Sequence, residues 1–504
     1  MAAIIDYLLY AIALSICYTT SLILYRLFFS PLAKFPGPKL AAATQLYEIY
    51  YDIIKHGQFM YEIERMHHQY GPVVRINPFE LHVRDPYFYD QLYAGPSKVR
   101  DKYASFVFNG ETGSSFATAH HALHRTRRGS LGPFFSKKAV ANIEPLIQSK
   151  VNLLCSHFTR AMDTDEAIEL HTAFACFAAD VVSQYSFGAS LCFGYLNQPR
   201  LSDQWKKIIN GIFELLIIPR LIPSAYFLSH LVPRVACMIN PVFEPIPQFE
   251  KDIHNIVKHL SQQSYSAEKE MPIFQSIMQS EKLPVEERKL KRIADEAAFL
   301  VVAGTDAPSQ VLAITIFHLL WNPCTYQKLQ AELVAALPDL RTDPSWSAME
   351  ELPYLKAVIK EGLRLSAVVT SRLPRIAPNE VLRVQGWEIP PGTPVGMSNH
   401  FILRDPNIYH EPMQFLPERW MGSPEEVRRL GKYLVPFSKG SLGCLGPTMT
   451  YSWLNLALAT ILRRFELALF ETTDRNVEIV RDCFNGQTVP GLNNVKVKVK
   501  HYNL

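Results

Sequence analysis

The chain has 504 residues, 48% hydrophobic and 19% charged, with a formal net charge of +4. That length and apolar content support one large core, and no Gly/Ser linker, charge run or internal repeat divides the chain after roughly the first forty residues. So small and dispersed a charge argues against a nucleic-acid partner, and 8 cysteines without C-x-x-C pairs or zinc-type spacing argue against a disulfide or zinc scaffold and for a reducing compartment.

The first predicted element is a membrane helix. From Tyr7 to Tyr25 about 19 residues pass without a charge, close to the ~20 that span a bilayer, and the small-residue cleavage pattern of a signal peptide is absent. Asp6 precedes the span and Arg26 and Lys34 follow it, so the positive-inside rule leaves the rest of the chain in the cytosol. Residues 1–29 are read as an anchor. The prolines of Ser30-Pro31-Leu32-Ala33-Lys34-Phe35-Pro36-Gly37-Pro38 cannot continue a helix, so 30–40 forms a stiff, extended hinge, and 41–504 is the folded body.

Within the body, Gly71 to Val83 mixes alternating and β-branched residues with Pro and Asn, which predicts short strands of a small sheet. From Val140 to Ser186 the apolar residues fall at helical spacing, and helix dominates onward. His121 to Arg128 gathers five basic or imidazole side chains in eight residues, with His124 and Arg128 four apart on one face. In isolation such a run is a solvated helix face. Between Ile208 and Phe243 a strongly apolar stretch is broken by Pro219 and Pro223, which preclude an unbroken spanning helix. It is core or lid.

Residues 292–321 form the longest helical candidate, apolar on all faces and therefore buried. A polar segment, Ala303-Gly304-Thr305-Asp306-Ala307-Pro308-Ser309, stands at its centre. Downstream, Glu361 and Arg364 share a helix face at i, i+3, an arrangement that on a surface is worth little. Phe415-Leu416-Pro417-Glu418-Arg419-Trp420 follows. Then comes Phe437-Ser438-Lys439-Gly440-Ser441-Leu442-Gly443-Cys444-Leu445-Gly446-Pro447, whose glycines permit close backbone approach to a flat ligand and whose cysteine precedes an apolar helix. A helix N-terminus lowers a thiol's pKa and favours a thiolate metal ligand. Read alone, the loop is more simply a buried cysteine in a turn.

Together these segments resemble the cytochrome P-450 superfamily, in its order and at its approximate spacings. Phe437, Gly440, Cys444 and Gly446 match the cysteine-ligand loop F-x-x-G-x-[R/H]-x-C-x-G, with Leu442 where the family has Arg or His. Ala303, Gly304 and Asp306 match the oxygen-binding segment, with Ala307 for the usual threonine and Pro308 after it. Glu361, Arg364 and Arg419 match the E-x-x-R and P-E-R-F/W elements that fix the meander before the cysteine. Fungal secondary-metabolism members of the trichodiene oxygenase type are the most similar, in phrases such as Arg75-Ile76-Asn77-Pro78 and Asp101-Lys102-Tyr103.

The resemblance implies a mainly α fold with small β-sheets and an N-terminal transmembrane helix. It implies haem held by Cys444, with His124, Arg128 and Arg375 on the propionates and Arg372 as the substitute for Arg375. The proton-delivery region is then Gly304, Asp306, Ala307 and Pro308, where Pro308 is expected to distort the helix and the proton route is a water held by the Gly304 carbonyl and Asp306, or a hydroxyl on the substrate itself. Pocket walls are expected at 103–116, 213–227, 302–307 and 368–373. Electrons would come from NADPH through a separate reductase docking on Arg125, Arg127, Lys137 and Lys138, with the body on the cytosolic face of the endoplasmic reticulum. The implied reaction is oxidation of an apolar terpenoid or polyketide. Ala307 and Leu442 keep a second reading open, a haem protein acting as isomerase, dehydratase or cyclase, and a third is an inactive membrane scaffold.

Overall fold

The computed structural model describes residues 2–107, 113–224, 245–263 and 271–500. The predicted anchor is a helix, Ala2–Leu24, whose apolar side chains from Ile4 to Tyr18 are exposed, followed by an i→i+5 turn over Tyr25–Phe29. The proline segment after it packs onto the body. Leu32 and Phe35 are buried, Arg75 N donates to Pro36 O at 2.7 Å, Arg75 Nη1 to Arg26 O at 2.7 Å, and Arg26 Nη1 to Ala43 O at 2.8 Å.

The predicted strands form at Val73–Arg75 and Leu81–Val83 and pair antiparallel. They belong to a five-stranded sheet completed by Pro394–Gly396, Arg375–Ile376 and Asp101–Lys102. In the last pair Lys102 lies directly opposite Arg375. The helical stretch from Val140 resolves into Lys137–Asn142, Glu144–Thr164 and Leu170–Phe187.

Leu290–Trp321 is the central helix, packed along Leu170–Phe187 and against Pro353–Ser366. Pro308 lies inside it, and the helix continues on both sides of the proline. Burial on several faces holds the helix across the missing N–H. Gln204–Leu221 likewise contains Pro219, near its end, and stops before Pro223. Trp205, Ile209, Phe213 and Ile217 are buried along it. Residues 225–244 and 108–112, where parts of the lid and pocket-wall expectations fall, lie outside the described residues.

The Glu361–Arg364 pair is not a surface bridge. Both side chains are 0% exposed. Arg364 donates to both carboxylate oxygens of Glu361, at 3.0 and 2.7 Å, and to the carbonyls of Leu403, Pro412 and Gln414 at 2.6–3.0 Å. Glu361 also accepts from Arg419 Nε at 3.0 Å, Trp420 Nε1 at 2.9 Å and Leu416 N at 3.1 Å. Removing one member strands a buried charge, at about 3–5 kcal/mol. Glu361→Ala is therefore expected to lower the unfolding free energy by that amount, read as a lower urea midpoint, or to prevent accumulation of folded protein; an unchanged midpoint would contradict a knot of this kind.

Candidate active site

A large cavity runs under the central helix, lined there by Val302, Ala303, Gly304, Asp306, Ala307 and Pro308. Phe106, Val107, Ser115 and Phe116, then Phe213, Leu215, Leu216, Ile218 and Pro219, and Val368, Val369 and Leu373 supply other walls within the ranges expected from the sequence, and Ile212 adds to them from just outside. A Cβ at Gly304 would come within 2.8 Å of Val182 Cγ2, so close packing of the two helices requires glycine. Four of the phenylalanines that line the cavity pack on one another. Phe116 stacks on Phe299 (4.5 Å, 11°) and meets Phe484 edge-on (5.6 Å, 90°), and Phe213 lies parallel to Phe484 (6.2 Å, 4°).

At one wall sits the cysteine loop. Ser438 and Gly440 have φ of 57° and 72°, and a side chain at Gly440 would collide with the Tyr93 and Ala94 carbonyls. Ser441 N donates to Ala94 O (3.1 Å) and Cys444 N to Phe437 O (2.8 Å), closing the loop on itself and on the body. Phe437 packs against Tyr451, 5.8 Å between rings. Gly446 is the N-cap of Pro447–Arg464, and its N–H donates to Cys444 Sγ at 3.3 Å. Cys444 is surrounded by protein on its other sides and its exposed surface lines the cavity. Its pKa is raised rather than lowered: burial outweighs the Gly446 N–H, the Arg128 charge and the Leu445 N–H, all of which pull it down. The expectation from the helix N-terminus is corrected in its net direction.

A cluster of cations also faces the cavity. His124 and Arg128, on helix His121–Leu131, line it together with Arg375 and a residue the sequence reading passed over, Lys102. Arg128 Nη2 donates to Cys444 O at 2.8 Å. Arg375 reaches only the Pro374 carbonyl (3.4 Å) and the Tyr93 ring (5.3 Å), with its Nε unpaired. Lys102 Nζ donates to the carbonyls of Ser115 (2.8 Å) and Phe116 (2.7 Å) and keeps one donor over. Burial, then the charges of Lys102, Arg128 and Arg375, push His124 down to about 2, and burial, then Arg375, pushes Lys102 well below the ordinary lysine value. Glu296 alone opposes this for Lys102, and it is already bonded to Ser115 and Arg292.

Arg372 is not a substitute for Arg375. It is bound by Glu48 (2.6 Å) and Glu80 (2.9 Å) away from the cavity. The expected basic surface is also reduced: Arg127 turns inward to Glu287 (2.8 Å) and Lys137 pairs with Glu350 (2.7 Å), leaving Arg125 and Lys138 exposed. On the central helix the hydroxyls of Thr305 and Ser309 bond back to Val301 O and Asp306 O, both at 2.7 Å. Asp306 is held by Asn485, at 2.5 Å, another residue that sequence spacing did not signal.

Comparison with known proteins agrees with this geometry. The cytochrome P450 family model matches residues 46–484. The cytochrome P450 monooxygenase sdnE of Sordaria araneosa is 39% identical over 96% of both chains. Tryptophan 6-hydroxylase fscE of Fusarium equiseti is 40% identical over 92% of this chain and 91% of its own, and conidiogenone synthase PchP450 of Penicillium rubens is 37% identical over 92% and 93%. A deep cysteine loop, a cavity under one long helix and a family match over most of the length lead to one conclusion: the chain belongs to the cytochrome P450 family, whose members are haem-thiolate oxidoreductases.

Proposed function

We propose that this protein is a haem-thiolate monooxygenase that oxidises an apolar small molecule, a terpenoid or polyketide intermediate of fungal secondary metabolism. Electrons come from NADPH through a separate NADPH-cytochrome reductase, to which Arg125 and Lys138 offer a basic docking face. Residues 1–29 tether the body to the endoplasmic reticulum membrane by a single span, residues 30–40 join the two, and the catalytic domain, 41–504, lies in the cytosol. The observation that carries the reading is the cavity itself, with one thiol open to it and four nitrogen bases and cations on its wall. The relatives' names, among them a tryptophan 6-hydroxylase, differ in substrate, so the substrate class rests on the phenylalanine lining.

The residues present fit a haem. Cys444 Sγ faces the cavity, Gly440 and Gly446 keep the loop close, and Lys102, His124, Arg128 and Arg375 converge without a free carboxylate of their own among the described residues. Two propionates satisfy that surplus of positive charge. When bound, haem supplies the chemistry of dioxygen reduction and oxygen insertion. The chain's own groups do the rest. Cys444 would ligate the iron as thiolate, and the Gly446 N–H and Arg128 would stabilise its charge. The phenylalanines exclude water and orient the substrate, and Asp306 holds and transfers a proton in place of the missing threonine. Turnover is favoured over an inactive scaffold because all of these groups are retained around one cavity.

Cys444→Ala should abolish the thiolate-type band of the reduced carbon-monoxide complex and the NADPH-dependent oxygen uptake; an unchanged band would refute the assignment.

Leu442 removes a cationic partner from one propionate, which by itself weakens haem retention, and Lys102 can supply the replacement. A hydrogen bond to a charged group is worth about 1.5–3 kcal/mol. Lys102→Met should therefore lower haem affinity by roughly tenfold or more, and Leu442→Arg should raise occupancy, most of all in the Lys102→Met background. Equal occupancy in all four proteins would mean that neither position meets a propionate.

Deleting residues 1–29 should release much of the protein from the microsomal fraction, and protease should reach the body in intact microsomes; a protected body would contradict the topology.

A further inference from the structure

The segment from Gly113 to His120 has no regular structure, yet it supplies a wall of the cavity through Ser115 and Phe116. Its peptide groups need partners outside itself, and the central helix offers two carboxylates in succession. Asp295 Oδ2 accepts from Gly113 N at 2.9 Å, and Glu296 accepts from Ser115 N at 3.1 and 3.0 Å and from Ser115 Oγ at 2.7 Å. A Cβ on Gly113 would stand 2.6 Å from Asp295 Oδ2 and 3.0 Å from Arg292 Cα, so glycine is what lets the segment lie this close to the helix. From strand Asp101–Lys102, Lys102 Nζ donates to the carbonyls of Ser115 and Phe116, at 2.8 and 2.7 Å.

Glu296 is 1% exposed, and a carboxylate so deep needs a partner for its charge. Arg292 Nη2 meets it at 2.8 Å, and the same guanidinium donates from Nε to Glu287 at 3.0 Å. Glu287 also receives Arg127 Nε at 2.8 Å; Arg127 Nη1 reaches Thr118 Oγ1 at 2.8 Å, and the Thr118 hydroxyl donates to Ser114 O at 2.7 Å. The circuit leaves the segment at Ser115 and returns to it at Thr118 and Ser114. Its two carboxylates and two guanidiniums balance, and of these four residues Glu296 alone lines the cavity.

What the circuit holds in place is a ring. Glu296 and Phe299 are i, i+3 on the central helix and share a face. Phe116 lies flat on Phe299, 4.5 Å between centroids and 11° between planes, and meets Phe484 edge-on at 5.6 Å. An aromatic pair contributes less than a hydrogen bond to a charged group, so the polar circuit, more than the stack, decides where the ring stands.

We propose that Glu296, held by Arg292, is a positioning residue that fixes Phe116 as an unyielding wall and thereby sets the size of ligand the cavity accepts. A ligand that needs the space of the ring must break charged hydrogen bonds to move it, whereas a small one leaves it alone. The proposal rests on the haem-thiolate reading above, since the probes that test it bind at the haem.

The test uses haem-loaded full-length protein and needs no turnover. Two nitrogen bases, imidazole and the bulky triaryl imidazole clotrimazole, are titrated by the haem absorption shift each causes, and hydrogen exchange is followed in the peptide spanning 113–119. Wild type is compared with Phe116→Ala, Arg292→Met, Glu296→Leu and the isosteric Glu296→Gln, each certified as folded by the thiolate-type carbon-monoxide band. The ratio of the clotrimazole to the imidazole dissociation constant should fall about tenfold in Phe116→Ala, Arg292→Met and Glu296→Leu, with imidazole itself unchanged. Exchange should quicken about tenfold or more in Arg292→Met and Glu296→Leu but not in Phe116→Ala. Glu296→Gln, which still accepts from Ser115, should lie nearer wild type than Glu296→Leu in both. Arg292 is off the cavity, so its variant changes ligand size only through the clamp: a ratio unchanged in Arg292→Met would overturn the proposal, whether exchange quickens or not and whatever Glu296→Leu does. Should Arg292→Met not fold, Ser115→Ala, which removes one donor to Glu296, is read the same way, and an unchanged ratio there is equally fatal. A wild type that shows no shift with imidazole would instead sink the haem-thiolate reading, which none of the variant comparisons can do.

Discussion

Arg364 places all five of its N–H donors inside the protein, two on Glu361 and three on carbonyls between Leu403 and Gln414. Much of the chain between Leu403 and Pro447 has little regular structure, so its backbone groups need partners from elsewhere. Glu361 and Arg364 supply them from a helix packed on the central helix, and Arg419 adds donors from within the segment itself. The result is register: with the meander fixed, the cysteine loop arrives against Tyr93 and Ala94 with one possible fit. A buried pair of this sort contributes modestly to net stability, and its effect is to make alternative packings expensive.

The cavity wall poses the opposite electrostatic problem. Lys102 and Arg375 are opposed on adjacent strands, where like charges repel, and His124 and Arg128 are added from a helix. Burial penalises each charge further, which is why the imidazole is driven so far down. A doubly anionic ligand relieves all of these at once. Haem binding and the stability of this corner are therefore linked, since whatever binds only the folded state stabilises it.

What could be read from the sequence is what depends on neighbours along the chain. The central helix, the Glu361–Arg364 spacing, the glycine loop and the anchor are local patterns, and their positions agree with the structure within a few residues. The misses are tertiary. Lys102 is a single lysine in an extended phrase, and only strand pairing with Arg375 brings it to the cavity. Asn485 lies 179 residues from Asp306, and nothing near either forecasts the contact. Arg127 was placed on the surface by helical phase, but Glu287 draws it inward. Pro308 is a helix breaker by its local chemistry; burial carries the helix past it, where an exposed segment would stop. The thiol was judged by the helix dipole alone, and desolvation, a property of depth, is larger.

The seam between Arg26, Ala43 and Arg75 has a mechanical consequence. The apolar helix from Ile4 to Phe29 counts 26 residues, or about 39 Å at 1.5 Å per residue, against roughly 30 Å of hydrocarbon in a typical bilayer. Under the anchoring proposed here, such a helix leans to bury its excess length. A flexible linker would absorb that lean. This linker is stapled to the body by its own carbonyls and two guanidinium groups, so the lean is handed on as rotation of the whole domain. The thickness of the surrounding lipid then sets the angle at which the cavity's mouth meets the bilayer surface.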